Sequence, residues 1–218
     1  MKHEPSQKKN VKVLITAGPT REPIDEVRFI SNFATGSLGV ELAKEAYDRG
    51  YNVELLFGFG TAQIPEHINT ARFTTTQSLL EAVLERIGNV DIYISAAAVS
   101  DYSPIPTKGK ISSDKDQLTI ELRPTPKVLK EAKKLSSPDS TFVAFKLASG
   151  LPEQALIEQA IESYGNIADL VVANDLTKIE GYKQEAMILY KGQVLNRTHT
   201  KQELAKALFD CLQNIRDE

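Results

Sequence analysis

The chain holds 218 residues, 41% apolar and 25% charged, with a net charge of −3. That balance excludes a disordered polymer, and the length fits one large domain or two small ones, with no disulfide or metal staple needed. No apolar run approaches the roughly 20 residues of a membrane span, and an acidic pI near 5.7 disfavours a non-specific nucleic-acid binder.

Residues 1–10 are polar and lack the apolar stretch of a secretory signal. They read as a flexible N-terminal segment ahead of one α/β domain over residues 11–218. Cys211 is the only cysteine, so intrachain disulfides and cysteine-based zinc sites are excluded. His3, His67 and His199 are scattered, which leaves little material for metal-dependent hydrolysis or a Ser-His-Asp triad. A reducing, cytoplasmic setting follows from this cysteine usage.

The first predicted element is a buried strand at residues 11–16, ended by Gly18-Pro19. Residues 21–35 lack a helical period and read as a long loop. Leu38, Leu42, Ala43 and Ala46 recur at helical spacing over residues 37–49, with Gly50 as a C-cap. A second strand covers residues 53–58, a second helix 77–87, and a third strand 91–95. Strand-helix alternation with short links predicts a parallel sheet.

The middle of the chain departs from that rhythm. Residues 103–116, with two prolines and Gly109, read as a mobile excursion. Leu118, Ile120 and Leu122 alternate with polar residues, as in a half-exposed strand. A short helix is predicted at 127–135, with buried strands at 141–147 and 169–173 and a helical face between them. Residues 187–190 and 194–195 flank Lys191-Gly192 and predict a hairpin. Thr200 and Glu203 form a capping-box pattern before a last helix, whose apolar side includes Cys211 as a core residue.

Ligands of open parallel sheets sit beyond the carboxyl ends of the strands. That rule selects residues 16–20, 58–60, 96–101, 145–146 and 173–175. The run NFATGSLG, residues 32–39, leads into a helix. Its glycines and the helix N-terminus suit either a phosphate site or an ordinary loop capped by Thr35 or Ser37. The small residues 96–98 suit either oxyanion binding by backbone N–H groups or close packing. Lys110 is either a mobile cation over a polyphosphate or a surface lysine.

Taken together, seven segments resemble one family, phosphopantothenoylcysteine synthetase. They are VLITAGPTREPIDEVR (13–28), ISNFATGSLG (30–39), AAAVSDY (96–102), KISS (110–113), TPKVL (125–129), FKL (145–147) and ADLVVANDLT (168–177). The resemblance implies a Rossmann-like α/β fold: a mainly parallel sheet with helices on both faces, a mobile flap and a small C-terminal hairpin. It implies a stand-alone synthetase or an isolated synthetase domain. The implied reaction joins 4′-phosphopantothenate to L-cysteine through an acyl-nucleotidylate, consuming CTP or ATP with Mg2+, in a homodimer with shared active sites. No nucleic-acid or membrane partner is implied.

Position by position, the resemblance assigns Asn32 and Lys110 as catalytic. It assigns Asn32, Ala97, Ala98 and Asp101 to phosphopantothenate. The nucleotide falls to Gly18, Gly36, Gly39, Asp101, Lys110, Pro126, Lys127, Val128, Leu129, Phe145 and Asn174. Relatives often carry Lys or Arg where Ser37 stands, and lysines in the helix at 153–167. This chain has Glu153, Glu158 and Glu162 there and no basic residue, with Lys146 as the candidate substitute.

A dinucleotide-dependent oxidoreductase would need G-x-G-x-x-G after the first strand, and Gly18-Pro19-Thr20 is not that. A non-catalytic binding relative of the synthetase is the other alternative.

Overall fold

The structure, a computed structural model, describes residues 11–114 and 116–217. The predicted flexible segment at 1–10 lies outside them. In chain order, β1 (Lys12–Ala17) is followed by a small hairpin, β2 (Arg21–Pro23) and β3 (Phe29–Ser31). Then come α1 (Ser37–Asp48), β4 (Asn52–Phe57), β5 (Asn69–Arg72), α2 (Thr76–Leu84) and β6 (Ile92–Ser95). A two-stranded ribbon, β7 (Tyr102–Pro104) with β8 (Leu122–Pro124), precedes α3 (Val128–Leu135) and β9 (Thr141–Ala148). The chain closes with α4 (Glu153–Tyr164), β10 (Leu170–Glu180), β11 (Lys183–Tyr190), β12 (Gln193–Thr200) and α5 (Lys201–Asp217).

One eight-stranded sheet runs β12-β11-β10-β9-β6-β1-β4-β5. The strands from β10 to β5 pair in parallel, whereas β11 and β12 are antiparallel. Counting only the parallel strands in chain order gives 3-2-1-4-5-6, the order of a dinucleotide-type sheet. Strand order reverses between β1 and β6, so the ligand crevice belongs above those two strands.

Side-chain alternation decides which helices cover which face. Val13, Ile15 and Ala17 pack with α1 and α5. Leu14 packs on the other side with α2, α3 and α4. The α5 stripe includes Leu204, Leu208, Phe209 and Leu212, all at 0% exposure. Each such residue contributes about 1.5–3 kcal/mol on burial. Cys211 lies on that stripe as predicted, and burial pushes its thiol up from the ordinary range.

Several predicted elements differ. Residues 21–35 are not a plain loop, because β2 and β3 pair within them. No strand forms at 118–121; Leu118 and Leu122 are exposed, and pairing begins only at Leu122 against Pro104. The edge strand β5, polar in sequence as NTAR, was absent from the sequence reading. The C-terminal hairpin is longer than predicted and extends the main sheet. Its Lys191-Gly192 turn has φ of 47° and 80°, the left-handed pair that a two-residue hairpin favours.

Candidate functional site

The reversal point is built by backbone continuing past the strands. Ala96 N donates to the Thr16 carbonyl at 3.0 Å, and Ala98 N donates to the Gly18 carbonyl at 3.0 Å. Thr20 N returns a bond to the Ala98 carbonyl at 3.3 Å. Below this, Thr20 Oγ1 accepts from Ser100 N at 3.1 Å, and both residues are buried. The loops after β1 and β6 are therefore stitched into one floor.

Of the two readings open for the small residues 96–98, oxyanion binding or close packing, this pairing favours the second. Ala98 N is committed to Gly18, and Ala97 N donates to Thr16 Oγ1 at 3.3 Å. Tyr93 sits beneath, fully buried, with its hydroxyl beside Thr16 and Ser95 yet outside hydrogen-bonding geometry. Burial pushes that phenol up to about 12.

Asn32 follows β3 and reaches this floor. Its Nδ2 donates to the carbonyls of Ala98 and Val99, both at 3.1 Å. Among the described residues nothing bonds its Oδ1, which stays open to a donor. Three predicted substrate residues, Asn32, Ala97 and Ala98, thus meet at one place.

Asp101 ends the same loop, exposed, and accepts from Lys127 Nζ at 2.5 Å. Thr125 N donates to the Asp101 carbonyl at 2.9 Å, and Thr125 Oγ1 donates to the Ser100 carbonyl at 2.6 Å. The segments 96–101 and 125–129, distant in sequence, are adjacent. Within the second, Thr125 and Pro126 are partly exposed and Lys127 is exposed. Val128 and Leu129 are 5% and 9% exposed and belong to the core with α2. Tyr164 lies close by; burial, then the Asp101 charge, raises its phenol.

The glycine loop leads into α1. Gly36 is the N-cap, with φ of 79° and no side-chain cap. Thr35 Oγ1 accepts from Ser37 N at 3.2 Å. A Cβ on Gly36 would lie 2.6 Å from the Phe57 ring, and one on Gly39 would lie 2.1 Å from Ala17 Cβ. Gly39 therefore lets α1 sit directly on β1, as close helix–strand packing at a nucleotide loop requires. Gly18, with φ of 77°, brings its turn against the backbone of Gly58 and Gly60.

Phe145 pairs with Val172, two residues before Asn174, so register puts Phe145 and Asn174 on the α1 face. Lys146 points the other way, its Nζ 3.3 Å from Ser163 Oγ on α4. It does not replace a missing cation at α1. The acidic helix α4 also covers the face opposite α1, so its carboxylates do not line the glycine loop. Glu153 pairs there with Arg197 at 2.7 Å.

A residue the sequence reading missed does reach α1. Lys201 Nζ lies 2.9 Å from Ser37 Oγ and 2.8 Å from the Gly181 carbonyl. It lines a cleft of about 760 Å³ with Thr35, Ser37 and Tyr182. Burial pulls its ammonium below the usual lysine range. One signal pointed to it: a lysine in the first turn of a helix opposes the macrodipole, so another contact must hold it there.

Lys110 makes no hydrogen bond or ion pair through its side chain among the described residues. Its loop is fastened to the β2–β3 turn: Gly109 N donates to Glu26 Oε1 at 3.0 Å, and Ile111 N donates to Asp25 Oδ2 at 3.1 Å. The Arg28 guanidinium holds the buried Asp25 carboxyl far below the usual carboxylate range. Asp175, after Asn174, accepts from Gly150 N and Thr177 N, both at 2.9 Å, which lowers its pKa and fixes the turn after β9.

Among the described residues, no three His, Cys, Asp or Glu groups are placed to hold a metal ion. Magnesium with a nucleotide takes one or two carboxylates beside phosphate oxygens. In the cleft, Glu41 is bonded to Lys44 and Glu203 to His199 N, so the residues present do not form a ready protein cage. No described helix is long and apolar enough to cross a membrane. Apolar side chains crowd the surface near the site: Phe33 is fully exposed, and Val27, Phe29, Tyr102 and Ile105 are at least 47% exposed.

The strand order, the reversal-point floor and the glycine-packed helix define a Rossmann-like ligand-binding protein. Comparison with known proteins narrows this. The model for the DNA/pantothenate metabolism flavoprotein C-terminal domain matches residues 8–215, and the chain belongs to that family. A Streptococcus pneumoniae structure described as the DNA/pantothenate metabolism flavoprotein superposes with a TM-score of 0.86 at 30% identity, covering 94% of this chain and 99% of that one. The C-terminal domain of a coenzyme A biosynthesis bifunctional protein CoaBC superposes at 0.76 and 28% identity, covering 96% and 98% of the two chains. The bifunctional CoaBC protein of Thermococcus kodakarensis is 35% identical across 98% of this chain and 54% of its own length. That of Methanocaldococcus jannaschii is 32% identical across 96% and 52%. The chain spans about half the length of these curated relatives.

Proposed function

We propose that the chain is a phosphopantothenate–cysteine ligase of coenzyme A biosynthesis. The observation that carries this is the meeting of Asn32, the loop 96–98 and Asp101 above the strand reversal, beside the open N-terminus of α1. Family membership and the CoaBC relatives support the same reading.

The chemistry needs positioning and charge stabilisation more than a protein nucleophile. The nucleotide, CTP or ATP, places its phosphates at the N-terminus of α1, near Gly36, Ser37 and Lys201. Its base and ribose lie toward Phe145 and Asn174. The carboxylate oxygen of 4′-phosphopantothenate attacks the α-phosphorus, and pyrophosphate leaves. The amine of cysteine then attacks the acyl carbon, the nucleoside monophosphate leaves, and the amine loses a proton. Lys110 stabilises the phosphate charge during the first step, and Asn32 Oδ1 accepts a hydrogen bond from the substrate. Magnesium bound to the triphosphate would supply charge neutralisation there, with no cage from the described residues. The exposed apolar residues around β3 and β7 form a homodimer interface, which brings a second copy to each site.

Pyrophosphate release with 4′-phosphopantothenate tests this, using CTP and ATP in parallel, with and without cysteine. Release that depends on phosphopantothenate supports ligase chemistry, and release without cysteine makes activation a separate first step. Binding of either substrate with no turnover under any nucleotide refutes the proposal and leaves a non-catalytic relative.

A further inference from the structure

Lys110 is bracketed by two residues whose backbones are each fastened twice. Gly109 donates to Glu26 Oε1 at 3.0 Å, and its carbonyl accepts from Glu26 N at 3.3 Å. Ile111 donates to Asp25 Oδ2 at 3.1 Å, and its carbonyl accepts from Arg28 Nη2 at 2.8 Å. The fastening residues are themselves locked. Asp25 Oδ1 accepts from Val27 N at 2.8 Å and Arg28 N at 2.7 Å, and Asp25 Oδ2 accepts from Arg28 Nε at 3.0 Å. The Asp25 side chain is completely buried although it is charged.

A buried carboxylate is costly unless its partners are complete. Here one carboxylate gathers the guanidinium, two amides of its own turn and one amide of a loop more than eighty residues away. A simpler β2–β3 turn would not need the last contact. The outcome of the network is to fix the residues on either side of Lys110 while its ammonium stays unbonded among the described residues.

We propose that Asp25, Glu26 and Arg28 clamp the loop so that the backbone carrying Lys110 is held in the conformation competent for turnover. This rests on the ligase reading above. The three are positioning residues that act through Lys110, since turnover scales with the fraction of molecules holding the competent conformer. Arg28 is the branch point, because its planar fork reaches the Asp25 carboxylate and the Ile111 carbonyl together.

The test compares wild type, Arg28→Lys, Lys110→Ala and the double variant, with Asp25→Asn as a second break in the clamp. Arg28 is part-exposed, so Arg28→Lys keeps the test available if Asp25→Asn fails to fold. Amide exchange is followed at Gly109 and Ile111, with Val13 to Ile15 of β1 as the internal reference. Exchange at Gly109 and Ile111 is expected to quicken at least tenfold in Arg28→Lys, and that at β1 to stay unchanged. In the same variant kcat is expected to fall about tenfold, whereas in the Lys110→Ala background Arg28→Lys changes kcat less than twofold. Equal losses in both backgrounds overturn the clamp, and so does unchanged exchange at Gly109 and Ile111. A wild-type chain that releases no pyrophosphate refutes the ligase reading instead, and the exchange arm then decides the clamp alone.

Discussion

Gly39→Ala probes how tightly the glycine loop is built onto the sheet. The new Cβ would stand 2.1 Å from Ala17 Cβ and 3.3 Å from Ala17 Cα. Carbon atoms in contact settle at about 3.5–4.0 Å, so the first turn of α1 must retreat by about 1.5 Å. Both partners are buried, and Ala17 belongs to a central strand that cannot yield. Overpacking of this kind costs about 1–3 kcal/mol, occasionally more, and the clash is severe enough to reach the top of that range. Alanine's helix propensity offsets about 1 kcal/mol. The net loss is about 2 kcal/mol, and Tm falls by about 4–8 °C for a chain of this size. Urea unfolding followed by circular dichroism measures it. Gly88→Ala serves as control, because its Cβ meets nothing nearer than 3.9 Å. The same retreat moves the amides after Gly36 and weakens nucleotide binding at least tenfold by calorimetric titration. A Gly39→Ala chain as stable as wild type, binding nucleotide normally, refutes the packing argument.

Asn32→Ala removes the two bonds to Ala98 and Val99 and costs about 1–2 kcal/mol at the site. The KM for phosphopantothenate rises about tenfold, and urea stability falls by about 1 kcal/mol, because the lost bonds are also folding contacts. Lys201→Ala raises the nucleotide Kd about tenfold and leaves phosphopantothenate binding unchanged; equal effects on both ligands would remove Lys201 from the phosphate site. Asp25 has a folded pKa below its unfolded value of about 3.9, so its stabilisation is complete above that pH and is lost as pH falls through the folded pKa. The stability difference between wild type and Asp25→Asn is therefore flat from pH 5 to 8 and shrinks below about pH 4 in urea titrations.

The helices and central strands were legible because their apolar periods are strong. β1 and β6 are continuous buried runs, and α5 carries a stripe that includes Leu204, Leu208 and Leu212. β5 was not legible, since NTAR at a sheet edge has no apolar alternation to detect. The run at 118–122 misled for the opposite reason: it alternates, yet β7 pairs with it only from Leu122 onward. Motif order brought Asn32, Ala97, Ala98 and Asp101 together, and the structure places them around one floor. What a motif cannot tell is which backbone groups are already engaged. The sequence left the amides of Ala97 and Ala98 open to either role, and in space they are bonded to Thr16 Oγ1 and the Gly18 carbonyl. Val128 and Leu129 show a related point, because a segment can border a site while its side chains serve the core. Lys201 carried one signal, its place in the first turn of a helix, but its partner Ser37 is 164 positions away and no local pattern names it.

The strand β10 passes beyond its parallel neighbour. Its pairing with β9 ends at Asp175, and from there to Gly181 only β11 runs beside it. That overhang is roughly 20 Å at the usual rise per residue. It behaves as a cantilever, rooted where Asn174 sits and tipped where Gly181 meets Lys201. The gap above the helix end is thus set by the bending stiffness of a finger in which β12 backs β11 from Thr198 to Thr200, and relatives that lengthen or shorten this finger would open or narrow that gap without altering any residue on the floor.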